Sequence, residues 1–80
     1  MKASLRKNLI HWDQTQLWHP FTQMKTAAAP LHVVKAKDCT LYTADGNRYI
    51  DAISSWWVNI HGHCNETIAD AVAAQAKTLE

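Results

Sequence analysis

Two glycines, two prolines and two cysteines are spread over 80 residues, and each scarcity removes a class of function. So few glycines leave no room for a phosphate-binding loop, which needs a run of flexible residues to bring backbone N–H groups around a phosphate. Cys39 and Cys64 are too few for a disulfide-built scaffold, and thiol scarcity suits a reducing compartment. No apolar run approaches the roughly 20 residues that carry a helix across a bilayer. Lys2, Arg6 and Lys7 open the chain, yet no apolar stretch follows them, so the pattern is not that of a secretory signal. Neither sign of charge dominates: the formal net charge is +1, which argues against a dedicated nucleic-acid binder. No membrane and no nucleic acid are expected as partners, and the cytoplasm is the expected location. A chain of this length holds at most one small domain, which buries only about 60–65% of its unfolded surface.

What is present is unevenly placed. Residues 1–40 carry six basic and two acidic side chains, and residues 41–80 carry two and five. Such a contrast fits faces that are differently solvated. Four tryptophans stand in the chain, and large rigid rings of this kind recur where ring surfaces meet ligands or partners.

Along the chain, Ser4 to Trp18 reads as one or two short helices. Leu5, Leu9 and Trp12 fall at helical spacing, and Asp13 with Gln16 three residues on resembles a capping box that opens a second short turn. Pro20 stops any helix at or before His19, because the residue before a proline avoids the helical region. Residues 20–30 read as an ordered loop.

A β region follows. His32 to Ala36 reads as a short strand, Asp38-Cys39 as a turn, and Thr40–Thr43 and Arg48–Asp51 as strands flanking Ala44-Asp45-Gly46-Asn47. An Asp-Gly pair between β-prone runs signals a hairpin with positive φ at both central residues. That turn places Tyr42 opposite Tyr49 and Leu41 opposite Ile50, and a cross-strand aromatic pair contributes about 0.2–1 kcal/mol.

The last element is the clearest. Asn65 is a good N-cap; Ile68, Val72, Ala76 and Leu79 recur at helical spacing; Glu66 and Asp70 near the start and Lys77 near the end suit the helix dipole. No Gly, Asn or Pro stop follows Leu79, so the helical pattern is expected to run to the last residue, as in a sequence cut within a helix. The fold class expected is an α+β segment: a helix and loop over residues 1–31, antiparallel strands over 32–51, and a Trp-bearing segment with a helix over 52–80. Little core is available, so independent folding is not expected.

Two clusters invite a chemical reading. His61-Gly62-His63-Cys64 offers three metal ligands, but tetrahedral zinc sites draw four ligands from two separated pairs, and a tight bend at Gly62 is the better reading. Ser54-Ser55-Trp56-Trp57 lacks the context of a nucleophilic serine. Adjacent side chains point to different faces in either regular structure, so one tryptophan is expected to pack inward while the other meets a cavity. No metal ligands, no paired carboxylates and no Schiff-base lysine stand out.

Two blocks of residues go further. Leu17-Trp18-His19-Pro20-Phe21-Thr22-Gln23-Met24 is one; the other is Asp45-Gly46-Asn47-Arg48-Tyr49-Ile50-Asp51 with Ser54-Ser55-Trp56-Trp57 and Ile60-His61-Gly62-His63. From about Asp13 to the end, the chain resembles the class III pyridoxal-phosphate-dependent aminotransferases. The D-G-x-x-Y-x-D block is shared broadly in that family. W-H-P-[YF]-T-x-M together with S-S-W-W is narrower and resembles the members that aminate 8-amino-7-oxononanoate in biotin synthesis.

The resemblance implies a homodimeric enzyme of fold type I, in which this segment supplies the N-terminal part of the small domain and lacks the large cofactor-binding domain. It implies pyridoxal 5'-phosphate held by the remainder of the enzyme, a ping-pong transamination, and small-molecule substrates. It also implies that Phe21 and Trp56 line the substrate site; Trp57 is carried as a third substrate-binding candidate, with packing as its plainer role. Members that use S-adenosylmethionine as amino donor typically have Tyr where Phe21 stands, and some relatives with Phe use lysine. The intact Trp pair favours S-adenosylmethionine. The family's Schiff-base lysine, its aspartate on the pyridine nitrogen and its phosphate-binding Gly-Ser have no counterparts in this segment, so no catalytic or cofactor-binding residue is assigned and the segment alone is expected to be inactive. The alternatives are another class III enzyme acting on ω-amino acids and a non-catalytic aromatic-rich binding module.

Overall fold

A computed structural model describes residues 3–80. The chain divides into two compact units, one ending at His32 and one spanning Val33–Glu80.

The first unit is built on a single helix, α1 (Ala3–Gln16). Leu5, Leu9 and Trp12 fall along it as their spacing requires, with Leu9 half-buried and the other two exposed. The capping box at Asp13 does not form. Asp13 lies within α1, and its carboxylate oxygens reach forward to His19 Nε2 at 2.8 and 2.9 Å. The side chain thus serves the chain after the helix instead of opening a second one. Beyond α1 the backbone turns at Pro20-Phe21 and again at Met24–Thr26, where the Gln23 carbonyl accepts from the N–H groups of Thr26 and Ala27 at 3.1 and 2.8 Å.

The second unit opens with an antiparallel sheet of β1 (Val33–Lys37), β2 (Thr40–Thr43) and β3 (Arg48–Ile50), in the order β1-β2-β3. Asp38-Cys39 makes the first turn, with Lys37 paired to Thr40 and Asp38 at φ 52°. The register of the second hairpin differs from expectation by one residue. Tyr42 pairs with Arg48, Leu41 with Tyr49 and Thr40 with Ile50, so no Tyr42–Tyr49 pair exists.

The cause lies in the loop. Gly46 has φ 90° while Asp45 is not among the residues with positive φ. A turn closed by Gly46 N–H on the Thr43 carbonyl at 3.1 Å is followed by Asn47 carbonyl accepting from Thr43 N–H at 3.0 Å. That is a three-residue loop with a glycine bulge, the next commonest hairpin after the two-residue form. Asp45 fixes the choice: its carboxylate accepts from the Thr43 hydroxyl and from Asn47 Nδ2 at 3.1 Å. Those bonds hold the Asp45 carboxyl below its ordinary range, the Thr43 hydroxyl being the largest cause. Tyr42 instead carries Lys35, its β1 partner, with Nζ 4.8 Å from the ring centroid.

After β3 comes α2 (Ser54–Trp57), then a bend through Gly62, then α3 (Glu66–Ala76). Asn65 caps α3 as expected, its Oδ1 accepting from Ile68 N–H at 3.1 Å. The helix does not continue to the last residue: Lys77 is its C-cap, and Thr78 and Leu79 close back on the Gln75 carbonyl. Among the described residues no apolar side chain is buried. Each unit therefore leaves its apolar face open, in line with the little core expected of so few short elements. No helix among the described residues is long and apolar enough to cross a membrane.

Candidate functional site

In the first unit, Phe21 stands at φ 53°, a region that L-residues enter at a cost of about 1–2 kcal/mol. Pro20 precedes it with φ fixed by its ring, and the Thr22 hydroxyl donates to the Pro20 carbonyl at 2.9 Å. The turn pushes its aromatic outward: Phe21 is 94% and Trp18 91% exposed. Both line a surface groove of about 650 Å³ together with His19, Thr22, Gln23, Met24 and Lys25. A second groove of about 700 Å³ shares His19, Thr22, Met24 and Lys25 with the first and extends to Asp13, Pro20 and Pro30. Trp18 and His19 thus differ in role, since His19 is held by Asp13 and Trp18 presents its ring to solvent.

In the second unit, the serines and tryptophans of α2 adopt a backbone that no composition rule announces. Ser54, Ser55, Trp56 and Trp57 all have positive φ, between 46° and 71°. Trp57 N–H closes on the Ile53 carbonyl at 2.8 Å and Val58 N–H on the Ser54 carbonyl at 3.1 Å. This is one turn of left-handed helix made without glycine. The expectation that one tryptophan packs inward is not met, since neither ring is buried and no apolar side chain among the described residues is. In the left-handed turn the two rings lie together, with centroids 6.5 Å apart and planes tilted by 45°. Trp56 is 54% and Trp57 75% exposed.

What holds this turn is a network that the sequence reading did not bring together, although Asp51 and His63 each stood in a motif. Asp51, just after β3, accepts from Ser55 N–H at 2.9 Å on one oxygen and from the Ser55 hydroxyl at 2.7 Å on the other. His63 Nε2 adds a bond to that second oxygen at 2.7 Å. The Asn59 amide nitrogen lies 2.6 Å from His63 Nδ1; with that amide donating, the ring's own donor hydrogen is the one on Nε2. Asp51 and His63 side chains are 6% and 16% exposed, so the pair is better covered than His19 and Asp13 of the first unit, at 39% and 19%. Three donors hold the Asp51 carboxyl down at about 2, the Ser55 N–H being the largest cause, then the Ser55 hydroxyl and His63.

His63 is itself fixed by backbone. It pairs with Asp38 in an antiparallel bridge, N–H to carbonyl in both directions at 2.7 and 3.1 Å. Gly62 has φ 79°, and a Cβ there would meet Asp38 Cα at 3.1 Å, so the bend needs glycine for both handedness and space. The His61-Gly62-His63-Cys64 cluster is therefore a clamp between the turn and the end of β1. Among the described residues no three His, Cys, Asp or Glu side chains converge as metal ligands.

Phe21 lies in the first unit and the tryptophan pair in the second. The sequence offered one sign of the Asp51 network, the short spacing from Asp51 to Ser54-Ser55, since serines near an acidic residue often bond locally. His63 carries no such signal, because its partner lies twelve residues away in sequence.

Residues 21–80 match the family model described as aminotransferase class-III. Over 64 residues, covering 80% of this chain, it is 56% identical to the adenosylmethionine-8-amino-7-oxononanoate aminotransferase of Synechococcus elongatus. A crystal structure of the enzyme of that name from Methanocaldococcus jannaschii superposes on 92% of the chain with a TM-score of 0.83 at 36% identity. An (S)-enantioselective omega-transaminase from Thermomicrobium roseum superposes on 92% with a TM-score of 0.85 at 25% identity. The chain spans 15% of the length of the Synechococcus relative and 17% of each of the two solved chains.

Proposed function

The chain belongs to the class III aminotransferases, and from that premise we propose that it is a segment of an enzyme that transfers an amino group to the 7-keto group of 8-amino-7-oxononanoate, giving 7,8-diaminononanoate. The observation that carries this reading is the 56% identity over 64 residues to a relative named for that substrate. The omega-transaminase likeness, at 25% identity, supports the runner-up, a class III enzyme acting on other ω-amino compounds.

Pyridoxal phosphate, the cofactor of such chemistry, would act as the electron sink. No cofactor-binding residue is proposed in this segment, whose two glycines do not make a phosphate loop. Cofactor binding and the acid–base work fall to the remainder of the enzyme, which we propose to be a cytoplasmic homodimer with this segment in its small domain.

The part assigned to this segment is recognition. Phe21, Trp56 and Trp57 are proposed as substrate-binding residues. An indole face covers an aliphatic chain at about 25 cal/mol per Å², which suits the long hydrocarbon of the ketone. A flat donor such as the adenine of S-adenosylmethionine gains about 1–3 kcal/mol on stacking against an aromatic ring, so S-adenosylmethionine is the donor proposed, ahead of lysine.

A chimera tests this. The matching 64 residues of the Synechococcus enzyme are replaced by those of this chain, and formation of 7,8-diaminononanoate is measured with S-adenosylmethionine and with lysine. Turnover with S-adenosylmethionine is expected. A chimera that binds pyridoxal phosphate yet aminates only other ω-keto substrates sinks the assignment.

A further inference from the structure

The left-handed turn at Ser54–Trp57 poses a physical question. Four consecutive non-glycine residues at positive φ are costly, about 1–2 kcal/mol for each, and single turns of this kind persist only where the surroundings over-determine them. The over-determination is on view. Ser55 is gripped by a side chain from outside the turn, through both its N–H and its hydroxyl, and both bonds end on Asp51. Asp51 is in turn held by His63, and His63 by the Asp38 bridge and by Asn59. Ser55 is the residue immediately before Trp56. A change in its backbone angles rotates the indole of Trp56 and alters the 6.5 Å pairing with Trp57.

We infer that Asp51 and His63 are positioning residues for substrate recognition: through Ser55 they fix the left-handed turn and so set the angle at which Trp56 meets the ketone substrate. The inference rests on the reading of Trp56 as a substrate-binding residue and deepens it. Asp51 serves the role better than a neutral residue would, because one carboxylate accepts three donors at once. An amide at this position accepts on one atom only and turns its NH₂ either against the Ser55 backbone N–H or against the Ser55 hydroxyl and His63 Nε2–H together. Neither Asp51 nor His63 needs to touch substrate for this.

The test uses the complete enzyme. Asp51→Asn and His63→Leu are each expected to raise KM for 8-amino-7-oxononanoate about tenfold, the scale of a lost hydrogen bond to a charged group. Both are expected to leave kcat and the pyridoxal-phosphate content unchanged, the pattern of lost uniform binding. His63→Gln keeps a donor toward Asp51 and is expected to restore KM. In a Trp56→Ala background, Asp51→Asn is expected to add little, because its effect passes through the missing indole. If Asp51→Asn does not accumulate as folded enzyme, Ser55→Ala removes one of the same bonds and is read the same way. A raised KM in Trp56→Ala with no change in Asp51→Asn or Ser55→Ala overturns this inference alone, as does full additivity of Asp51→Asn with Trp56→Ala. An unchanged KM in Trp56→Ala by itself brings down the substrate-site reading and this inference with it.

Discussion

Each of the two units carries an aromatic ring on left-handed backbone, Phe21 at φ 53° and Trp56 at φ 71°, but they are held in different ways. Around Phe21 the side-chain bonds are local: Thr22 to Pro20 spans two residues and His19 to Asp13 spans six. Around Trp56 the decisive bond, His63 to Asp51, spans twelve, and it rests on a bridge from His63 to the end of β1. Local bonds form wherever the short stretch is ordered. The Asp51 network exists only when sheet, turn and bend are all in place. The side-chain bonds beside Phe21 are thus made within its loop, whereas those beneath Trp56 need the folded unit.

The contrast can be put under strain from its strongest point downward. Trp56→Ala in the complete enzyme should lower kcat/KM for 8-amino-7-oxononanoate roughly ten- to a hundredfold, the loss of one aromatic face at about 1–3 kcal/mol. Pyridoxal-phosphate absorbance should remain; its disappearance would move Trp56 from recognition to cofactor binding. Gly62→Ala comes next. It places a Cβ 3.1 Å from Asp38 Cα at φ 79°, a cost of about 1–2 kcal/mol for handedness alone, with the contact added. Gly46→Ala also has positive φ but meets nothing within 4 Å, so its melting temperature should fall less. Equal falls would mean that the bridge to Asp38 is not a clamp.

A pair of histidine variants compares the units directly. His63→Ala strips a donor from a carboxylate that is 6% exposed, whereas His19→Ala breaks a contact whose histidine is 39% exposed. The surface pair should be worth about 0–1 kcal/mol, and the drop in melting temperature should be clearly larger for His63→Ala. Comparable drops would erase the distinction between local and non-local support. Phe21→Tyr should do less still: the ring is kept, and a gained or lost hydroxyl contact is worth about 0.5–1.5 kcal/mol. Collapse of turnover with both donors would show that the loop tolerates no polar atom there.

The gentlest probe is acid. The Asp51 carboxyl is depressed from 3.8 to about 2. A depressed carboxyl stabilises the fold fully above its unfolded value, and that contribution fades as pH falls through the folded one. A pH scan followed by the Asp51 carboxyl resonance should therefore titrate near 2 and not near 3.8. Titration at the ordinary value would mean that Ser55 and His63 do not hold it.

Much of this was legible in residue order. Asn65 declared the start of α3 because a cap acts within its own turn. Asp38-Cys39 and Asp45-Gly46 declared both hairpin turns. The register of the second was not legible, since Asp-Gly serves two loop types and the choice fell to Thr43 and Asn47. The handedness of Ser54–Trp57 was hidden for a stronger reason. Positive φ is normally announced by Gly, Asn or Asp, and none stands among those four residues; the conformation is imposed by Asp51 and, through it, by His63. Phe21 was singled out only by resemblance to a family, whereas the Trp56-Trp57 pair also drew notice as two adjacent rings that cannot both face one core.

The opposite hand of that single turn has a consequence for synthesis. A mirror-image serine at position 55 would find φ 46° its natural state, and would keep the hydroxyl while relieving the backbone. Eighty residues are within reach of chemical assembly and ligation to a longer partner. A heterochiral enzyme made in this way would ask whether the tension in the turn is needed for turnover or is merely tolerated.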